Sequence, residues 1–255
     1  MRPTPYRTFY FLALFLSTMP VAASTQDVRV LPKNLEVQSS DVSLNSYRFQ
    51  SAIRRDQSLG TLATAHSTIG EQVLTFGFGA KSEEATFFLL GSLYAEAAAY
   101  LHSGDLAAAE KRLAAIEKEC IRLQVPNSLY AYVSKVRNLL ATQRYNAEVI
   151  GDFLALLQPF LEDYAASQGP EKRTLFRAGA WLVDLSLAAA ADDKHLLSQV
   201  HTLQYFTEEM KRLQAPQGVI DAFTELTDIA AKAELSDQDV KQVLKLVSKI
   251  QTILG

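Results

Sequence analysis

A five-residue phrase occurs twice in this chain, with a single difference between the copies. Arg-Leu-Gln-Val-Pro ends at Pro126, and Arg-Leu-Gln-Ala-Pro ends at Pro216, 90 residues later. The similarity continues upstream, where Gly91 and Gly179 lie 88 residues apart. A two-residue insertion in the second copy explains why the interval grows from 88 to 90. The sequence therefore predicts an internally duplicated unit.

Each copy has the periodicity of amphipathic helices. Apolar residues recur every three or four positions through four segments, which places them on one helix face. In the second helix of each copy, Leu196, Leu203, Phe206 and Met210 correspond to Leu106, Leu113, Ile116 and Cys120. Residues that favour helix starts are Ser82, Asp105, Asn146 and the Ser236-x-x-Asp239 capping box. Pro126 and Pro216 each open a third helix, where the missing N–H costs nothing.

These patterns predict an all-α fold of about eight helices in four hairpins, arranged as an α-solenoid or a repeat bundle. A hairpin begins roughly every 45 residues, close to the period of some stacked helical repeats. A single hairpin cannot bury its apolar face, whereas four hairpins packed together can. We expect one helical unit over residues 82–164 and a second over residues 171–255.

The first 23 residues have the features of a secretory signal peptide. Arg2 and Arg7 precede an apolar run from Phe9 to Met19, which is too short to span a bilayer. Small residues favour cleavage after Ala23, with Ser24 as the alternative, and predict a periplasmic or secreted protein. An uncleaved membrane anchor and a buried N-terminal helix remain the alternative interpretations.

Residues 24–51 are polar and predict an extended or disordered N-terminal arm, and residues 52–81 predict a partly helical segment that ends in a glycine loop. Loss of Arg2 and Arg7 with the signal would change the net charge from −3 to −5, which gives no electrostatic basis for nucleic-acid binding. Cys120 is the only cysteine, so no intrachain disulfide can form, and its place on an apolar stripe predicts a buried, inert thiol.

One hairpin resembles a tetratricopeptide repeat. The match consists of Leu90-Gly91-x-x-Tyr94 followed by Gly104-Asp105-Leu106-x-x-Ala109-x-x-x-Leu113. The resemblance implies that Gly91 and Ala109 let the two helices of the hairpin approach closely, and that the protein is a scaffold for a protein or peptide. It covers one hairpin of four, and the chain departs from the family's period of ~34 residues because its first helix is too long.

No motif in the chain predicts a catalytic residue, a cofactor or a metal ion. The glycine loop before Lys81 lacks the spacing of a phosphate-binding loop, since Ala80 and Thr75 occupy the positions where glycine is needed. Asp192-x-x-His195 is the nearest approach to a carboxylate–histidine metal motif, and it falls at a turn. His102 also lies near a turn, so these two histidines are predicted to be solvated.

Aromatic residues distinguish the first copy from the second. Tyr130, Tyr132, Tyr145, Phe153 and Phe160 correspond, at the interval of 90, to Ile220, Ala222, Leu235, Val243 and Ile250. Divergence of this kind can place a groove for a ligand or a partner in one copy only, and Tyr94 is a further candidate for that groove. The alternative is that the two cores are simply packed differently.

Three functions remain open, and each predicts a different site. A scaffold that binds a protein or peptide of the cell envelope, without nucleic acid or stable membrane insertion, predicts an exposed groove carrying Tyr or Phe. A carrier of a small apolar ligand predicts an enclosed apolar pocket lined by the aromatics of the first copy. An enzyme predicts a cleft in which His102 or His195 meets a carboxylate.

Overall fold

All the regular structure in the described part of the chain is helical, which confirms the predicted all-α fold. The computed structural model describes residues 82–142 and 146–254. The predicted signal peptide (1–23), the predicted arm (24–51), the predicted partly helical segment (52–81) and Tyr145 lie outside these ranges.

The described helices form two successive units. Unit 1 contains four helices: α1 Glu83–Ser103, α2 Leu106–Arg122, α3 Asn127–Thr142 and α4 Ala147–Gln168. Unit 2 contains five: α5 Pro170–Ala190, α6 Lys194–Leu197, α7 Val200–Arg212, α8 Gln217–Ala230 and α9 Asp237–Leu254. Eight of these helices are long, as the apolar periodicity predicts, and α6 is a single turn.

The predicted N-caps are confirmed. The Ser82 hydroxyl accepts a hydrogen bond from the N–H three residues on at 3.1 Å, and the side chains of Asp105 and Asn146 do the same at 2.9 Å. Ser236 and Asp239 cap each other, since each side chain accepts the other's backbone N–H, at 3.2 and 2.9 Å. Because these bonds satisfy N–H groups that have no partner within the helix, they fix where each helix begins.

The repeated phrase forms the same turn in both units. In unit 1 the Val125 N–H donates to the Cys120 carbonyl at 3.1 Å, while Gln124 has a left-handed φ of 53°. Gln214 has the same φ of 53°, and the residue after it makes the equivalent bond at 2.9 Å. This is the Schellman arrangement that ends a helix, with glutamine in the position that usually holds glycine. The duplication is therefore visible in the backbone itself.

The second helix of unit 2 is broken, and the break places the two-residue insertion after Leu197, whereas the predicted pairing of Leu196 with Leu106 places it before Leu196. The sequence predicts one continuous helix here, but α6 ends at Leu197 and α7 begins at Val200. Two extra residues within a helix would rotate everything beyond them by about 200°. The break absorbs that rotation, so that Leu203, Phe206 and Met210 remain buried like their counterparts in α2.

Helices α1 and α5 form the centre of the molecule. Both are buried on nearly all sides, which explains why neither has a clear polar face. Glu84 on α1 is ion-paired with Lys172 on α5. The two residues are 88 positions apart, so they occupy equivalent positions in the two units. The two helices therefore run side by side in the same direction. The hydrogen bond from Lys172 lowers the pKa of the Glu84 carboxyl.

Two glycines allow α1 and α5 to come into backbone contact. A Cβ atom added at Gly91 would overlap the carbonyl oxygen of Phe176, and one added at Gly179 would overlap that of Phe88. The two contacts are reciprocal, which relates the units by an approximate two-fold axis. The resemblance to tetratricopeptide repeats implies a close approach of α1 to α2 at Gly91. The structure corrects this assignment, because the backbone that Gly91 meets belongs to α5.

The remaining helices close around this pair rather than extending as an open stack. Helix α4 packs against α1 and α5, and α9 packs against α5 and reaches α1. In a solenoid each repeat contacts only its neighbours, so this arrangement is a repeat bundle. None of the described helices is both long enough and apolar enough to cross a membrane.

One buried ion pair joins α1 to α2. Glu96 is 2% exposed and pairs with Arg112, whose guanidinium also lies 5.5 Å from the centre of the Tyr100 ring. Burial raises the pKa of the Glu96 carboxyl, although Arg112 opposes the shift. Because removal of one partner would leave a buried charge uncompensated, this pair fixes the position of α2 against α1.

We predict that alanine at Gly91 or Gly179 will destabilise the fold, because the added methyl group must push the α1 and α5 backbones apart. Overpacking of this kind costs about 1–3 kcal/mol. Gly151→Ala is the matched control, since its methyl group would meet nothing nearer than a side-chain carbon at 4.0 Å. The control should raise stability by up to ~1 kcal/mol through helix propensity. Denaturant unfolding curves of the three variants test the glycine contact, and equal effects would contradict it.

We also predict that Gln124→Gly and Gln214→Gly will each stabilise the protein by about 1 kcal/mol, because both residues hold a left-handed φ that glycine adopts without steric cost. Gly104 has a φ of 81°, so Gly104→Ala should have the opposite effect. Thermal unfolding measures all three. Destabilisation by both glutamine-to-glycine changes would show that the glutamine side chains contribute more than the backbone strain costs.

Candidate functional site

Apolar side chains lie exposed along one side of α3 and α4. We define the aromatic surface as Tyr132 of α3 together with Phe153, Leu156 and Phe160 of α4. Leu156 is 55% exposed and Phe160 is 50% exposed, whereas Tyr132 and Phe153 are half-buried. The three α4 residues are spaced three and four apart, so they share one helix face.

Contacts between α3 and α4 hold the aromatic surface in place. The ring of Tyr132 meets Phe160 edge-on, with centroids 5.3 Å apart, and its hydroxyl donates to the Phe153 carbonyl at 2.9 Å. The ammonium of Lys135 lies 5.6 Å from the centre of the Phe153 ring, within cation–π range. These contacts restrict the motion of the Tyr132 and Phe153 side chains within the protein.

The second unit shows what these positions do in an ordinary core. Their counterparts, Ala222, Val243, Leu246 and Ile250, are all at most 3% exposed. Helices α8 and α9 also pack along more of their length than α3 and α4 do. Alanine lets its helix approach closely, whereas the larger Tyr132 takes up that space in unit 1. The aromatic surface is therefore open where its duplicate is closed.

The structure divides the aromatic residues that the sequence predicts for a groove. Tyr132, Phe153 and Phe160 come together in the aromatic surface. Tyr94 lies elsewhere, since it is fully buried at the α1–α5 contact with its ring 6.4 Å from that of Phe176. Tyr94 therefore belongs to the core and not to a groove.

Tyr130 faces α2 rather than α4. Burial by itself would raise the pKa of the Glu117 carboxyl on α2, but hydrogen bonds from Ser134, Arg137 and Tyr130 together lower it. Arg137 also bonds Glu110 at 2.6 Å, so a polar cluster joins α2 to α3. Tyr130 thus contributes to holding the two helices together, and it lies on a different side of α3 from Tyr132.

The sequence analysis does not identify Leu156 of the aromatic surface or the adjacent Lys135. Leu156 was overlooked because its counterpart Leu246 is also leucine, so comparison of the two copies shows no difference there. Lys135 was overlooked because a lysine on a helix surface is ordinary. The signal that finds both is helical spacing, since Leu156 lies three residues after Phe153 and Lys135 three after Tyr132.

A concave region lies at the break between α6 and α7. It is a cleft of about 420 Å3, lined by Lys194, His195, Ser198, Gln199, Ala233, Glu234 and Leu235. Neither His102 nor His195 forms an ion pair with a carboxylate in the described ranges. Within those ranges, these two residues therefore do not form the histidine–carboxylate pair that an enzyme would predict.

Residues that could bind a metal ion do not converge in the described part of the chain, where no group of three or more His, Cys, Asp and Glu side chains is found. Cys120 is fully buried, in agreement with its place on the apolar stripe of α2. Burial, with smaller contributions from Glu117 and Glu119, raises the pKa of its thiol to about 12.

No protein-family model matches the chain, and neither curated proteins nor solved structures include a significant match. Each unit of the chain therefore serves as the structural reference for the other.

We predict that Cys120 will not react with a thiol reagent such as DTNB at pH 8 while the protein is folded. At that pH a thiol with a pKa of about 12 has roughly a thousandfold less thiolate than an unperturbed cysteine. Absorbance should report one thiol per chain only after denaturant is added. Rapid stoichiometric labelling of the folded protein would show that Cys120 is accessible.

Proposed function

We propose that this protein is an exported, non-enzymatic helical-repeat scaffold that binds a protein or peptide partner through the aromatic surface. The observation that carries the proposal is the exposure of Leu156 and Phe160, each about half exposed, where the duplicate positions are buried. Exposed apolar clusters with aromatic members are typical of interaction sites, because they release water when a partner covers them.

The shape of the aromatic surface favours an amphipathic helix or another apolar segment as the partner. Phe153, Leu156 and Phe160 form a stripe along α4, and Tyr132 lies beside it on α3. In unit 2 the equivalent apolar side chains pack against the neighbouring helices. A partner helix in unit 1 would supply the packing that the less extensive contact between α3 and α4 leaves incomplete, in the manner of a helix docked in a groove.

The same observation favours a scaffold over a carrier of a small apolar ligand. A carrier encloses most of its ligand in an apolar pocket, whereas the aromatic surface faces solvent along α4. The signal-like residues 1–23 support an export route and a partner in the periplasm or the cell envelope. Resemblance of one hairpin to tetratricopeptide repeats is in keeping with this role.

We predict that a photo-crosslinking amino acid at Leu156 will capture one defined partner in cells, whereas the same group at Ala155 will not. Ala155 is also exposed but lies on a different face of α4, so it is a matched control within one helix. Mass spectrometry of the cross-linked species identifies the partner. Capture at both positions, or at neither while a lipid or pigment co-purifies, would contradict the proposal.

With the partner purified, Leu156→Asp and Phe160→Asp should each weaken binding by at least about tenfold, or 1.4 kcal/mol, because each places a charge in the apolar interface. Ala155→Asp should leave the affinity within about twofold. Titration calorimetry measures all three. Circular dichroism should show that the variants remain folded, since each changed side chain is exposed.

A further inference from the structure

The cleft at the α6–α7 break contains a buried amide without hydrogen-bond partners. Gln199 is 5% exposed and lines the cleft, and neither its side-chain nitrogen nor its side-chain oxygen has a partner. An unsatisfied buried polar group costs about 1–3 kcal/mol, so most such groups are paired in native proteins. Gln199 is the N-cap residue of α7, yet its side chain makes no capping bond either.

The cleft exists because of the insertion that separates the two units. One wall consists of α6 and the residues after it, and the other consists of the loop between α8 and α9. The continuous helix α2 occupies the corresponding place in unit 1, so that unit has no equivalent break. Lys194 also donates a hydrogen bond at 2.6 Å to Asp237, the first residue of α9. The insertion thus introduces both the cleft and the unpaired amide.

The charges on the two walls are opposite. Lys194 lines the α6 wall, and Glu234 lines the facing loop. Lys194 has three N–H donors, of which Asp237 uses one. Gln199 also belongs to the lining, and its amide nitrogen and oxygen are both unpaired and shielded from solvent. The site therefore combines a cation, an anion and an amide, with Leu235 and Ala233 as apolar lining.

From this arrangement we infer that the cleft binds a free α-amino acid with an apolar side chain. When such a ligand enters, the Gln199 side chain turns towards the cleft, and the ligand carboxylate accepts from the Gln199 amide nitrogen and from Lys194. Its ammonium group donates to the Gln199 amide oxygen and to Glu234. The carboxylate and the ammonium flank a single carbon, so one amide can engage both. The volume of about 420 Å3 lies at the small end of the range of ~300–1,000 Å3 for ligand pockets.

Substitution of Gln199 distinguishes a ligand-binding role of its amide from a structural one. If its role is to bind a ligand, replacement by isosteric methionine should raise the melting temperature of the unliganded protein, by about 2–4 °C, because an unsatisfied amide is removed. If its role is structural, the same change should lower the melting temperature. Gln204→Met is the matched control, since Gln204 is exposed on α7 and lies outside the cleft lining.

The binding test uses the full chain after export and L-leucine as the probe. Titration calorimetry and thermal shift should detect leucine in the wild type and in Gln204→Met. Binding should be at least about tenfold weaker in Gln199→Met and in Glu234→Gln, which removes the anion from an exposed position. N-acetylleucine and leucinamide, each lacking one of the two charges, should also bind at least about tenfold more weakly.

Several results would overturn the inference. Absence of leucine binding at millimolar concentration would do so, as would equal binding of leucine, N-acetylleucine and leucinamide. A lower melting temperature for Gln199→Met would show that the amide is already satisfied in the folded protein. None of these results bears on the aromatic surface, which belongs to the other unit, so this inference and the proposed scaffold function succeed or fail separately.

Discussion

The backbone contact between α1 and α5 is the constraint on which the rest of the structure depends. Gly91 and Gly179 remove the side chains that would separate the two helices, and each glycine faces the carbonyl of a phenylalanine in the other unit. Because nearly every side of both helices is buried, neither unit has a complete core alone. The two units therefore form one domain, in which each unit buries the central helix of the other.

That approximate symmetry makes the differences between the units informative. Unit 1 has Tyr132 where unit 2 has Ala222. The face of α9 that is buried in unit 2 corresponds to the exposed aromatic surface on α4 in unit 1. Where unit 1 has one continuous helix, unit 2 has a break that opens a cleft containing an unpaired amide. Each candidate site thus occurs at a place where the duplicates diverge, while the shared turns and caps maintain the common frame.

Much of the fold follows from local sequence signals. Helix starts at Ser82, Asp105 and Asn146 depend on one side chain and the three residues after it, and the repeated phrase encodes a turn within five residues. Such signals act within one helical turn, so they do not depend on how the rest of the chain folds. The divergence of the aromatics at Tyr132 and Phe160 was also visible, because duplication supplied an internal comparison.

Local sequence patterns predict most of the helices and their ends, the duplication and the uneven distribution of aromatic residues. Tertiary structure alone decided that Gly91 meets α5 and not α2, that Tyr94 is buried while Leu156 is exposed, and that the insertion breaks a helix. The physical reason is that burial depends on which helix faces come together across the chain. An apolar stripe shows that a helix must pack against something, but packing partners are selected by shape, through contacts between residues about 88 positions apart.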